Sequence, residues 1–319
     1  MQCYLARART KRCGTKSAFC WDITRLHWKT IGMVSETLES TVVSDSDLQV
    51  VHIRATTGWV PVSLSELWQY REVIYFLAWR DVKTRYVQTI FGPSWAIIQP
   101  LVSMLIFTLI FGRLARMPSD GIPYPIFSFA ALVPWTFFAS SVSKASTSLA
   151  AGGFVNRIYF PRLAMPLSAI LANVLDFILS FAVLVLLMVY YRVAPTANVV
   201  WLPLLLLLAF VASLGVSLVL SAMNVQFRDV RHALPFLVQI WMYATPVVYP
   251  ASLITDPLWK ALYALNPMVG VVEGFRWALL GTDTAPGLSV VVSAGVAIAL
   301  LIGGTFYFKR MERTFADVI

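Results

Sequence analysis

The side chains able to do chemistry are few, and their spacing excludes more reactions than it supports. Cys3, Cys13 and Cys20 fall at spacings that match no zinc or redox pattern, so free thiols are expected and no structural disulfide. Asp45 and Asp47 form a D-x-D, the metal-binding pattern of sugar-nucleotide transferases, but no nucleotide-binding domain surrounds it. A membrane glycosyltransferase or ligase needs acids, histidines or arginines converging on a long external loop. The acids on one side of the chain are only Asp120, Asp256, Glu273 and Asp283. The chain has no G-x-x-x-x-G-K-[ST] phosphate loop, so no ATP site of its own is expected, and no catalytic residue or metal is assigned. Asp176 is the one acid well inside an apolar run, where a charge is costly unless paired, neutral or beside water. Two readings stand for it: a functional intramembrane acid, or a protonated or hydrogen-bonded one near Asn173. A single such acid argues against proton or sodium coupling.

These residues are carried by elements made for lipid. Of 319 residues, 58% are hydrophobic and 13% charged, against about 25% charged in soluble proteins. The mean hydropathy is +0.72. This composition predicts an all-α integral membrane protein. The net charge of +9 comes from basic residues flanking apolar runs, where they set orientation, so no nucleic acid partner is expected. Residues 1–60 hold no spanning run, and their basic opening lacks the apolar core of a signal peptide. A disordered extension is expected there, with Met33 as an alternative start. Residues 61–92 should form an interface helix. From Ser65 to Gln88, aromatics and cations mix as at a headgroup zone, but Arg71 and Arg85 intrude on the face of Leu67 and Ile74, so the helix should bend or break. Ser65 is the expected cap, and Gly92 with Pro93 the expected stop. Residues 93–319 should form a transmembrane domain of six spans: Trp95–Phe111, Tyr124–Ser143, Leu163–Tyr191, Val199–Val225, Ala233–Tyr249 and Leu288–Phe308.

Between the second and third spans lies NRIYFPRLAMP, Asn156 to Pro166. Arg157 and Arg162 bracket Tyr159 and Phe160, while Pro161 and Pro166 end helical segments. A short surface helix here is either a connector or a presentation of Arg157, Tyr159 and Phe160 to a soluble partner. Twelve basic residues lie on its side of the spans: Arg71, Arg80, Lys83, Arg85, Lys144, Arg157, Arg162, Arg228, Arg231, Lys309, Arg310 and Arg313. Five lie opposite: Arg113, Arg116, Arg192, Lys260 and Arg276. The excess predicts that this loop, the loop of Arg228, Asp229 and Arg231, and both termini are cytoplasmic.

The longest connection, Pro250 to Gly287, predicts two short apolar helices joined at Asn266 and Pro267 that dip into the membrane and return. Glu273 and Arg276, three apart, are expected to pair on one helical face. Trp135, Phe137, Phe138, Trp241, Tyr243 and Tyr249 are candidate channel-lining aromatics, with the interfacial belt as the rival reading for each.

Taken in order, several strings resemble the permease subunit of ABC-2 type exporters for polysaccharides, the group moving O-antigen, capsule and teichoic acid chains. They are RDVKTRY before Gly92 and Pro93, VPWTFFASSVS at Val133–Ser143, NRIYFPRLAMP, NVQFRDVRH at Asn224–His232, and YPASL with LNPMVGVVEGFRWALLG. The resemblance runs from about Val60 to Ile319. It implies a homodimer in the inner membrane and a lipid-linked glycan as substrate. It also implies two ATPase subunits, which carry the ATP and magnesium and are gripped through Asn156, Arg157, Tyr159, Phe160, Pro161 and Arg162. The dipping pair, with Tyr249, Trp259, Tyr263, Asn266, Pro267, Glu273 and Arg276, becomes an extracellular gate. A permease of the same architecture for drugs or small lipids is the alternative.

Overall fold

The computed structural model describes residues 64–87, 92–151, 160–227, 229–254, 256–282, 287–312 and Phe315. Among the described residues the regular structure is helical throughout. A short α1 (Leu64–Gln69) and a longer α2 (Arg71–Tyr86) precede α3 (Trp95–Phe107), which runs on as a π-helical segment, Thr108–Leu114. Then follow α4 (Tyr124–Ala151), α5 (Ala164–Tyr190) and, after a 3-10 turn at Ala197–Trp201, α6 (Leu202–Gln226). The last four are α7 (Asp229–Tyr243), α8 (Pro257–Ala264), α9 (Pro267–Leu280) and α10 (Gly287–Glu312).

Among the described residues, five stretches are long and apolar enough to cross a membrane: Trp95–Leu114, Tyr124–Leu149, Ala164–Tyr190, Ala197–Gln226 and Gly287–Glu312. α4 is the axis. Of its apolar window 78% is buried, against 17% for those of α3 and α10, because α5, α6, α9, α3 and α7 all pack on it. Phe127, Phe129 and Phe138 of α4 are fully enclosed. α6 and α10 approach closely where two glycines meet: a Cβ on Gly304 would stand 2.5 Å from the carbonyl oxygen of Gly215. Small residues allow this backbone contact in lipid, where there is no hydrophobic drive between helices.

Three expected boundaries move. The surface helix does break, at Tyr70, but α1 already includes Ser65, which therefore sits in its first turn instead of capping it. α2 ends at Val87, whose backbone is extended (φ −71°, ψ 136°), before Gly92 and Pro93; these open a 3-10 turn into α3. The expected span Ala233–Tyr249 is a 15-residue helix, α7, followed by turns. Pro246 disfavours helical backbone at Thr245. The chain tightens there, with Thr245 N–H donating to Met242 O at 3.2 Å and Val247 N–H to Thr245 O at 2.7 Å. α8 and α9, of 8 and 14 residues, are each shorter than the roughly 20 a helical crossing takes.

Candidate functional site

Asp176, on α5, is paired. Arg85 and the hydroxyl of Tyr86, both from α2, hold its two carboxylate oxygens. From α4, Lys144 Nζ lies 3.6 Å from Asp176 Oδ2 and donates to Asn173 Oδ1 at 2.9 Å. Asn173 Nδ2 donates in turn to Ser141 Oγ at 3.2 Å. These partners, from α2 and α4, clasp α2 to the bundle. Burial, together with the bond to Asp176, pushes the Tyr86 phenol up to about 12, so it stays a donor. Ile74, Leu77 and Ala78 bury the rest of this face of α2, while Trp68, Tyr75, Phe76 and Trp79 are exposed.

At the same end of the bundle, Arg162 Nη1 donates to the Glu312 carbonyl at 2.8 Å, and its guanidinium lies 5.7 Å from the centre of the Phe315 ring. Pro161 is buried, and Phe160 packs against a cluster that includes Leu77, Leu149 and Leu163. Phe160 is thus turned inward instead of being presented outward. The apolar cluster at the end of α10 claims it. Asn156, Arg157, Tyr159 and Arg228 lie outside the described residues. Asp229 and Arg231 are exposed at the start of α7.

At the opposite end, Asn266 caps α9. Its Oδ1 accepts from Met268 N–H at 3.1 Å and from Trp241 Nε1 at 3.0 Å, and its Nδ2 donates to Thr245 Oγ1 at 2.9 Å. One amide thus ties the joint between α8 and α9 to the end of α7, with Pro267 buried at the first helical position. The Tyr249 and Tyr263 hydroxyls meet at 2.8 Å, and Trp259 and Tyr243 are exposed.

The expected ion pair of Glu273 with Arg276 is not formed. Arg276, 3% exposed, donates to four backbone carbonyls: Phe127 (3.2 Å), Pro246 (2.6 Å), Val247 (2.7 Å) and Tyr249 (3.3 Å). Its guanidinium also stacks 3.6 Å above the Phe127 ring. The turns after α7 free the Pro246, Val247 and Tyr249 carbonyls from helical bonding, and a planar fork of five donors can serve several of them at once. Glu273 instead accepts from Ser289 Oγ of α10 at 3.1 Å, and burial raises its carboxyl above the ordinary value.

The expected channel aromatics on α4 are core. Trp135, Phe137 and Phe138 are at most 3% exposed. Phe137 meets Phe177 edge-on at 5.7 Å between centroids, and Phe138 meets Trp241 at 5.1 Å. As the axis of the bundle, α4 offers these positions to its neighbours, leaving Tyr243 as the exposed member of the set.

Residues 72–280, α2 to the end of α9, match the family described as ABC-2 type transporter. The chain belongs to that family. This ABC-2 type chain is 31% identical, over 80% of its length and 98% of the relative's, to the O-antigen export system permease protein RfbA of Myxococcus xanthus. It is 27% identical to the protein of that name from Klebsiella pneumoniae (75% of this chain, 92% of the relative). It is 28% identical to the polysialic acid transport protein KpsM of Escherichia coli (73% and 91%).

The sequence reading of this ABC-2 chain missed Arg85, Tyr86 and Lys144 as partners of Asp176. Ending the second span at Ser143 put Lys144 in a loop, whereas α4 continues to Ala151 and carries it along the bundle. A lone cation and a lone acid on consecutive apolar helices was the available signal.

Proposed function

We propose that this chain is the membrane-embedded permease subunit of an ATP-driven exporter that moves a lipid-linked polysaccharide across the cytoplasmic membrane. The observation that carries the reading is end-to-end similarity: the chain aligns with 98% of an O-antigen export permease at 31% identity. On this reading two copies assemble with two separate ATPase subunits, which bind ATP and magnesium. α7 with the turns to Tyr249 makes a sixth, shorter crossing, and α8 and α9 form a re-entrant hairpin on the outer face that gates the exit. Both termini and the segment 156–162 are cytoplasmic, and closure of the ATPases pushes on that segment. Arg85, Tyr86 and Asp176 pass the push from α2 to α5.

Deleting the gene should remove surface glycan and leave lipid-linked glycan on the cytoplasmic leaflet, with rescue only when the partner ATPase is present. Normal surface glycan together with lost efflux of a drug favours the drug permease instead. Orientation is checked separately. A single cysteine at Lys260 should react with an impermeant maleimide from outside the cell, and one at Arg157 should not; the reverse pattern overturns the topology.

A further inference from the structure

Beneath the hairpin lies a cavity of about 940 Å³, enclosed by α8, α9, the first turns of α10 and the turns after Tyr249. It is of the size that takes a ligand of several hundred daltons. Its wall is apolar for the most part: Leu262 of α8, Leu265 just after it, and Leu288 and Val292 of α10 line it. Three charges also line it, Glu273, Lys260 and Asp120, besides Arg276, whose donors are taken up by carbonyls. Among the described residues Glu273 is hydrogen-bonded to Ser289, and no cation lies within ion-pair distance of it, although Arg276 and Lys260 stand near enough to favour its charged form. Lys260 is exposed at the cavity, and Asp120 accepts from Ser252 at 3.3 Å.

Depth decides what such a cavity meets. Ser289 is the third residue of α10, a helix of 26 residues that at about 1.5 Å per residue is longer than the roughly 30 Å hydrocarbon core. Glu273, bonded to Ser289, therefore stands at the headgroup level and not at the bilayer centre. The exposed Leu258, Leu262 and Leu288 continue the apolar wall toward the acyl chains.

We propose that this cavity is a site for a membrane phospholipid whose headgroup carries a primary ammonium and a phosphate. The ammonium donates to Glu273, Lys260 meets the phosphate, and one acyl chain lies along Leu262, Leu265 and Val292. A half-buried carboxylate with no cation in direct contact gains one, and its desolvation penalty falls. A quaternary ammonium has no N–H to donate, so phosphatidylcholine fits the same volume without that bond. The site rests on the hairpin lying at the membrane boundary and needs neither glycan nor ATPase, so its failure leaves the export reading untouched.

The test is native mass spectrometry of the full chain, purified and exposed to matched dioleoyl phosphatidylethanolamine, phosphatidylcholine and phosphatidylglycerol. Phosphatidylethanolamine should be retained about tenfold more tightly than phosphatidylcholine, the ratio of one charge-assisted hydrogen bond. Glu273→Gln should shrink that preference to about twofold or less, with phosphatidylcholine retention falling less than phosphatidylethanolamine retention because it loses the Coulomb attraction but no hydrogen bond. Leu262→Trp, at an exposed position, should fill the cavity and lower retention of both. Equal retention of the two zwitterionic lipids by the wild-type chain, a preference that Glu273→Gln leaves above about twofold, or stronger retention of phosphatidylglycerol overturns the proposal.

Discussion

Arg276 does more for the fold than its spacing from Glu273 predicts. It closes three carbonyls, of Pro246, Val247 and Tyr249, that the turns after α7 leave outside any helix, and also reaches the Phe127 carbonyl of α4. Lysine keeps the charge but offers a compact ammonium in place of a fork, so Arg276→Lys should leave one or more of these carbonyls unpaired at about 1–3 kcal/mol each. The expected outcome is a purified permease whose Tm falls by several degrees, while Glu273→Gln, which keeps the Ser289 bond and removes a poorly solvated charge, holds or raises it. An Arg276→Lys protein as stable as wild type would show that the carbonyls find other donors. The sequence marked Arg276 as important and named the wrong partner. A carboxylate three residues away is visible in one dimension, whereas carbonyls 27 to 149 positions distant become partners only once α7 unwinds and α4 lies alongside. Asp176 teaches the same lesson: its cost was legible, but Arg85 lies 91 positions away.

Elements were read more surely than contacts, because a long apolar run needs only length and composition to be recognised. Five spans, the broken surface helix and the pair of short helices joined at Asn266 all occur near their expected places. What composition could not give was the end of α7, where Pro246 redirects the chain, and the packing of α6 on α10. That second contact makes a sharp prediction. Gly304 lies against Gly215, while its neighbour Gly303 has nothing within 4 Å of an added Cβ. Gly304→Leu must force the helices apart, at about 1–3 kcal/mol or more for an overpacked site, whereas Gly303→Leu meets no such wall. Folded yield and Tm in detergent should drop for the first and stay near wild type for the second. Equal effects would mean that α6 and α10 do not meet at these glycines.

Over the whole molecule, several tying contacts gather at the end of the bundle where α5 begins. The chain just before α5 is anchored by Phe160 and by the bond from Arg162 to Glu312, and α2 is held to α5 through Asp176. A push on the loop therefore reaches the start of α5 and the surface helix together. This arrangement changes which substitution tests coupling. Phe160→Ala opens the permease's own cluster, so it should lower the Tm of the permease and confound docking with folding. Arg157 and Tyr159 supply the charge and the aromatic anchor expected to contact the ATPase, and contacts of these types carry about 2 kcal/mol or more at a well-buried interface. Arg157→Glu with Tyr159→Ala should reduce recovery of the ATPase on pull-down at least tenfold and abolish surface glycan, with the Tm of the permease unchanged. ATP hydrolysis by the ATPase alone should be unaffected, because neither residue belongs to it. If the ATPase still co-purifies in full and glycan still reaches the surface, the loop is only a connector and force must enter the bundle elsewhere, with the exposed Asp229 and Arg231 at the start of α7 the next place to look.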